Sequence, residues 1–211
     1  MMKCGGDVSG VRYAMNLCAL ASLVLIAVSS AFAADERVIA APDLKTPLPT
    51  EWSVRQGTWE VKDGVLHAAE IPANKHAAVL WHEVPLAAGA VQCEFKFDGA
   101  KVLILGCDGD RHIGRVVITP KSMRVVDDST EVKGKTPGTV LGETKLDLKP
   151  GEWYPLRYAW DGPRMTATVG EAQVSGTHEN LAKKKARWWF AVGGQSMQIR
   201  QVKVLEGKSP H

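Results

Sequence analysis

No stretch of this 211-residue chain has a convincing helical hydrophobic period, and the chain has no internal repeat and no low-complexity tract. These absences argue against helical bundles and repeat arrays. Apolar and polar residues alternate instead in short segments, as at residues 91–97, and turn signals such as Asp63-Gly64 separate them. About a dozen short strands punctuated in this way predict an all-β sandwich or closed barrel.

Sequence patterns of catalytic and metal sites are also missing. The histidines have no H-x-H or H-x-x-x-H spacing, and there is no G-x-S-x-G elbow and no Glu-x-Asp-x-x-Glu run of strand carboxylates. The acidic loop around Asp108 and Asp110 lacks the glycine and the final glutamate of a calcium loop, and a plain turn explains it equally well. We therefore predict no cofactor and no metal, and no carboxylate pair of the glucanase type.

Basic residues form no extended face. The one short basic cluster comprises Lys183, Lys184, Lys185 and Arg187, and its position predicts a solvated loop. Without a basic face or stripe, the chain is not expected to have a nucleic-acid partner.

The N-terminal 33 residues have the pattern of a cleavable signal peptide. Lys3 and Arg12 precede an apolar run over residues 14–28, and the small residues Ala31 and Ala33 have the spacing that signal peptidase requires. The run is shorter than the roughly 20 residues of a spanning helix. Leu17, before Cys18, is too large for a lipidation site. We expect cleavage after Ala33, export to the periplasm or the medium, and no stable membrane anchor.

The remaining chain divides into a proline-rich segment at residues 34–50, predicted to be an extended linker or edge segment, and one domain at residues 51–207. A hairpin is expected with strands at residues 90–97 and 102–105, turning at Asp98-Gly99. A three-residue loop would set Cys93 opposite Cys107 and allow a disulfide, whereas a two-residue loop would leave both thiols buried and free. The hydrophobic pattern fits both registers.

Several segments resemble the 3-keto-disaccharide hydrolase-like domain family. They are residues 57–66 (GTWEVKDGVL), residues 151–157 (GEWYPLR), the strand at residues 165–169 and the closing strand at residues 202–204. The resemblance spans residues 52–206 and implies an exported concanavalin A-like jelly roll, a sandwich of two antiparallel sheets. Its motifs are mainly turns and core aromatic residues, so it implies the fold more strongly than an activity.

The same resemblance implies that His112 and Arg115 contact a ligand, because they are similar to a His/Cys-Arg pairing after the corresponding hairpin; a surface strand start is the plain alternative. Trp188 and Trp189 are adjacent, so they must point to opposite faces of a strand. With Trp188 inward, Trp189 faces outward, where it either stacks on a sugar or is covered by a neighbouring loop. Trp81 completes the predicted saccharide contacts. The function expected from this resemblance is saccharide binding or hydrolysis of a glycoside of the 3-keto-disaccharide type, and the alternative is a non-catalytic structural or protein-interaction module with no small ligand.

Overall fold

The structure is a computed structural model that describes residues 36–45, 47–129 and 138–207. The predicted signal peptide, residues 1–33, lies outside the described residues. Two short 3-10 helices, Pro72–Asn74 and Glu179–Ala182, are the only helical elements within them. None of the described helices has the length and apolarity needed to cross a membrane.

Thirteen antiparallel strands make up the rest of the regular structure in the described part of the chain. They are β1 (Arg37–Ala40), β2 (Trp52–Gln56), β3 (Thr58–Lys62), β4 (Val65–Ala69), β5 (Ala78–His82), β6 (Gly89–Asp108), β7 (His112–Ile118), β8 (Ser122–Asp127), β9 (Thr139–Lys145), β10 (Tyr154–Asp161), β11 (Arg164–Val169), β12 (Ala172–Thr177) and β13 (Arg187–Glu206). The all-β prediction is therefore confirmed.

The two layers of the sandwich share the long strands β6 and β13, which pair along most of their length. The first half of β6 and the second half of β13 lie in one layer, whose strands are ordered β12-β11-β10-β6-β13-β4-β3. The other halves lie in a layer ordered β9-β8-β7-β6-β13-β5-β2. Hydrogen bonding is thus continuous from one layer to the other, and the jelly roll is one folded sheet rather than two separate ones.

The shared strands bend where two glycines lie close together. Gly99 in β6 has φ 93° and Gly194 in β13 has φ 96°, both in the left-handed region that favours glycine, and the β6–β13 register shifts there. The predicted hairpin at Asp98-Gly99 is wrong: β6 continues through it as one strand. The glycine that indicated a turn instead marks a bulge.

Cys93 and Cys107 are both buried, free thiols. They lie in the same strand β6, fourteen positions apart, and cannot face each other across a hairpin that does not exist. Cys93 is paired with Leu156 of β10, and Cys107 is paired with Trp188 of β13. The disulfide alternative is therefore wrong, and the alternative with two buried free thiols describes the cysteines correctly.

Apolar side chains from both layers fill the interior. Trp59 of β3 stacks on Phe190 of β13 with ring centroids 6.4 Å apart, and Trp188, Phe190 and Val192 are all core residues, as the alternation predicted. Part of the 34–50 segment belongs to this domain: β1 pairs with the end of β13, and Leu44 is buried in the core. The edge-segment alternative describes these residues better than a linker does.

Candidate functional site

One row of side chains crosses the outer face of the layer that contains β5, β13 and β7. Trp81 of β5 is paired directly with Trp189 of β13, Trp189 with Gly106 of β6, and Gly106 with Arg115 of β7. Directly paired residues of an antiparallel sheet point to the same face. Trp81, Trp189 and Arg115 are therefore neighbours although they lie far apart in the sequence.

A groove of about 550 Å³ lies over this row. All four residues that the sequence singled out, Trp81, His112, Arg115 and Trp189, line it. The other lining residues are Arg55, Gln56, His76, Ala77, Val79, Ile104 and Ala191. We refer to this surface as the outer groove.

Trp189 points outward as the alternation predicted, but it is not an exposed platform, because only 7% of the residue is accessible. Its ring lies flat against the backbone of Gly106, where an added Cβ would come within 2.2 Å of the indole. The ring of His112 packs edge-on against it at 5.7 Å. Trp189 therefore forms the floor of the outer groove and offers a ligand little ring surface for stacking.

Asp108 is buried beside the groove residues and accepts hydrogen bonds from three donors. Its Oδ1 accepts hydrogen bonds from Trp189 Nε1 and His112 Nδ1, each at 2.8 Å, and its Oδ2 accepts one from Arg187 Nε at 3.3 Å. Burial by itself raises the pKa of Asp108, but the hydrogen bonds from His112, Trp189 and Arg187 outweigh burial, and the net pKa is lowered. Asp108 is therefore an ionised anchor and not a group available to a ligand.

The same bond acts on His112, whose side chain is 51% exposed. The hydrogen bond to Asp108 raises the pKa of His112 against the opposing effect of burial. The carboxylate also fixes Nδ1 as the protonated nitrogen, so Nε2 is the ring atom that is left for a ligand or a proton transfer.

Arg115 is held in a similar way by a second buried carboxylate. Its guanidinium donates to Asp128, whose side chain is completely inaccessible, while the Arg115 side chain is 19% exposed. Burial raises the pKa of Asp128, and the charges of Arg115 and His112 oppose that rise. This buried carboxylate restrains the guanidinium of a residue that lines the groove.

Arginines cover the ring of Trp81. The guanidinium of Arg55 lies 4.4 Å from its centroid and that of Arg187 lies 4.1 Å from it. Such cation–π contacts hold a guanidinium in place while leaving its N–H groups free to donate. Trp81 is thus a support for two cations rather than an open surface for stacking.

The structure separates the two aspartates of the acidic loop and corrects the expectation for the basic cluster. Asp108 is buried and bonded to the groove residues, whereas Asp110 is exposed. Among the described residues, no three His, Cys, Asp or Glu side chains are grouped as a metal site would need. The basic cluster is not a solvated loop throughout: Lys185 is only 2% exposed, and Arg187 begins β13 at the groove.

Sequence reasoning missed Arg55, Arg187 and Asp128. Arg187 immediately precedes the Trp188-Trp189 pair, and this position next to a predicted site residue could have indicated that it lies near the site. Arg55 and Asp128 carry no local signal: Arg55 reaches the groove through the pairing of β2 with β5, and Asp128 acts only through its ion pair with Arg115, thirteen positions away.

No family model matches the sequence, and no curated protein matches it. Solved structures of low sequence identity share its fold. The carbohydrate binding module CBM66 from Bacillus subtilis aligns with TM-score 0.59 and 12% identity over 72% of this chain and 94% of that one. SCLam, a non-specific endo-β-1,3(4)-glucanase from family GH16, aligns with TM-score 0.63 and 13% identity, covering 84% and 94%.

A protein of unknown function with a galectin-like fold from Bacillus subtilis aligns with TM-score 0.60 and 9% identity, over 83% of this chain and 99% of that one. The chain therefore has the concanavalin A-like, galectin-like jelly-roll fold that the sequence predicted. At these identities the comparisons establish the fold alone.

Proposed function

We propose that the protein is an exported jelly-roll domain that binds a saccharide in the outer groove. The observation that carries this proposal is the convergence of Trp189, His112 and Arg115, with Trp81 and its arginines, on one groove of about 550 Å³. Such a groove combines an apolar floor with a few held polar groups, which is how small-ligand sites are usually built. The carbohydrate-binding and glucanase neighbours of the same fold support this choice of ligand class.

The test is a glycan array probed with purified protein, followed by titration of any hit with tryptophan fluorescence as the readout. Val79→Trp would fill the groove from a half-buried position of its lining and should abolish binding. Val140→Trp is the matched control, since Val140 is exposed on β9 and does not line the groove. Binding to no glycan, or equal loss in both variants, would contradict the proposal and favour a structural or protein-interaction module.

Turnover is a second candidate, and the His112–Asp108 pair favours it. A half-exposed imidazole whose Nδ1 is held 2.8 Å from a buried carboxylate has the arrangement of a general acid or base. The resemblance to 3-keto-disaccharide hydrolase-like domains supplies the substrate to try, and a retaining or inverting carboxylate pair is not supported by the groove lining.

The assay is release of free 3-keto sugar from a 3-keto-disaccharide, compared between the wild-type protein and His112→Asn. Loss of about a hundredfold or more in the variant would support a general acid or base role. Equal rates in both proteins, or no release at all, would leave saccharide binding as the function.

A further inference from the structure

The outer groove is lined by basic side chains, and the carboxylates that contact them are buried and do not line it. Arg55 is exposed and lines the groove, and no ion pair engages it among the described residues. Asp108 and Asp128, whose side chains are 3% and 0% exposed, are buried against these cations and do not line the groove. No aspartate or glutamate of the described chain lines the groove.

The cations outnumber the acids that neutralise them. Arg115 is paired with Asp128 and Arg187 with Asp108, which leaves the guanidinium of Arg55 as the excess charge. His112 shares Asp108 with Arg187, so protonation of His112 adds to this excess. A ligand in the groove therefore meets a positively charged surface, because the nearby carboxylates are already paired with Arg115 and Arg187 and do not neutralise Arg55.

The guanidinium groups are also held in place before any ligand arrives. Arg55 and Arg187 lie over the ring of Trp81, and the buried carboxylate of Asp128 holds Arg115. An arginine fixed in this way loses little freedom when it forms paired hydrogen bonds to an oxyanion. The same cations cover the face of Trp81 that a neutral sugar would need for stacking.

We infer that the saccharide bound in the outer groove carries an oxyanion substituent, a carboxylate or a sulfate, which Arg55 and Arg115 recognise. This inference rests on the proposed saccharide function and narrows it to a substrate class. Paired N–H donors match the two oxygens of a carboxylate and two of the oxygens of a sulfate ester.

Calorimetric titration with three probes tests it: an oligogalacturonate, the same oligosaccharide as its methyl ester, and a sulfated galactan oligosaccharide. We expect one of the charged probes to bind at least about tenfold more tightly than the ester, the scale expected for a charge-assisted contact. The stronger charged probe identifies the substituent.

Arg55→Gln should weaken binding of the charged probe about tenfold and leave the ester unchanged. Arg164→Gln removes the same charge from an exposed position on β11 outside the groove and should change neither. Because both arginines are on the surface, both variants are expected to fold.

The outcomes separate the two proposals. If neither the oligogalacturonate nor the sulfated galactan oligosaccharide binds more tightly than the methyl ester, the oxyanion inference is overturned while saccharide binding stands. Equal weakening by Arg55→Gln and Arg164→Gln also overturns it, because binding would then follow net charge and not the groove. Absence of binding to every probe and to the glycan array overturns saccharide binding itself.

Discussion

At the scale of the residue, Asp108 does more than any other side chain to define the outer groove. It is 2% exposed, and its two oxygens hold the indole of Trp189, the imidazole of His112 and the guanidinium of Arg187. The sequence showed this carboxylate only as part of a polar loop. A local sequence pattern cannot reveal its role, because two of its three partners come from β13, about 80 positions along the chain.

Replacing Asp108 with Asn should destabilise the fold by about 2–4 kcal/mol, since buried donors would lose a charged acceptor. Urea unfolding followed by circular dichroism measures this change. Asp147→Asn is the matched control: Asp147 bridges Lys121 and Lys149 at the surface, and its loss should not measurably change stability. Equal stability of the Asp108 variant and wild type would contradict the anchoring role.

The pKa of His112 gives stability a pH dependence of defined sign. Its folded pKa is raised above the ordinary 6.5 by Asp108, so the folded state binds the proton more tightly than the unfolded state does. The stabilisation is fully present below pH 6.5 and is lost as the pH rises through the folded pKa. The free energy of unfolding should therefore fall over that window.

His82 requires a control, because burial lowers its pKa and gives a contribution of the opposite sign. The informative quantity is the difference in unfolding free energy between wild type and His112→Asn, measured from pH 5.5 to pH 8.5. We expect this difference to shrink with rising pH. A difference that is constant or grows with pH would contradict the assignment.

At the scale of the element, the strands were predictable and their connections were not. Alternation correctly assigned Trp188, Phe190 and Val192 to the interior, because the period of a strand depends on the backbone alone. Gly99 was misinterpreted as part of a turn, and Gly194 lies near it, on β13, in the same bulged region. A glycine at positive φ serves a hairpin or a bulge equally well, and only the pairing of β6 with β13 decides between them.

Gly106 of β6 determines how closely Trp189 of β13 can pack at the floor of the groove. Its missing side chain allows β13 to lay Trp189 across β6, and an added Cβ would lie 2.2–2.6 Å from three ring atoms. The indole cannot move away without breaking its bond to Asp108. Gly106→Ala should therefore destabilise the fold by about 1–3 kcal/mol and shift the tryptophan emission.

Gly207→Ala is the control for that experiment, because a Cβ there meets only ordinary contacts at 3.4–3.5 Å with residues 88 and 89. It should leave both the unfolding midpoint and the emission unchanged. If Gly106→Ala behaves in the same way as Gly207→Ala, the indole is free to move and the floor of the groove is not fixed by close packing.

At the scale of the whole molecule, two layers share two long strands, and this architecture brings the four sequence-selected residues into one groove. The sequence identified Trp81, His112, Arg115 and Trp189 individually, yet it could not show that they meet, since β5, β7 and β13 are neighbours only through the order of the sheet. It also could not supply Arg55, which arrives on β2 next to β5. These residues meet because of the order of the strands in the sheet, which no local sequence pattern specifies.

The export proposal makes a prediction for the complete chain. Cleavage after Ala33 removes Cys4 and Cys18, so the processed protein keeps two cysteines where the precursor has four. Both remaining cysteines are free, and burial raises the pKa of Cys107 to about 11 and that of Cys93 still further. The native processed protein should thus resist a thiol reagent at pH 8, and two thiols should react after denaturation.

Expression of the full chain in a bacterial host, followed by fractionation and N-terminal sequencing, tests this directly. Ala34-Asp35-Glu36 should be the first residues of the protein outside the cytoplasm. Ala33→Phe places a large side chain at the cleavage position and should leave an unprocessed chain with four thiols, whereas Ala27→Phe keeps the run apolar and should be processed normally. An unprocessed wild-type chain retained in the cytoplasm would contradict export, and with it the expectation that the groove meets a saccharide outside the cell.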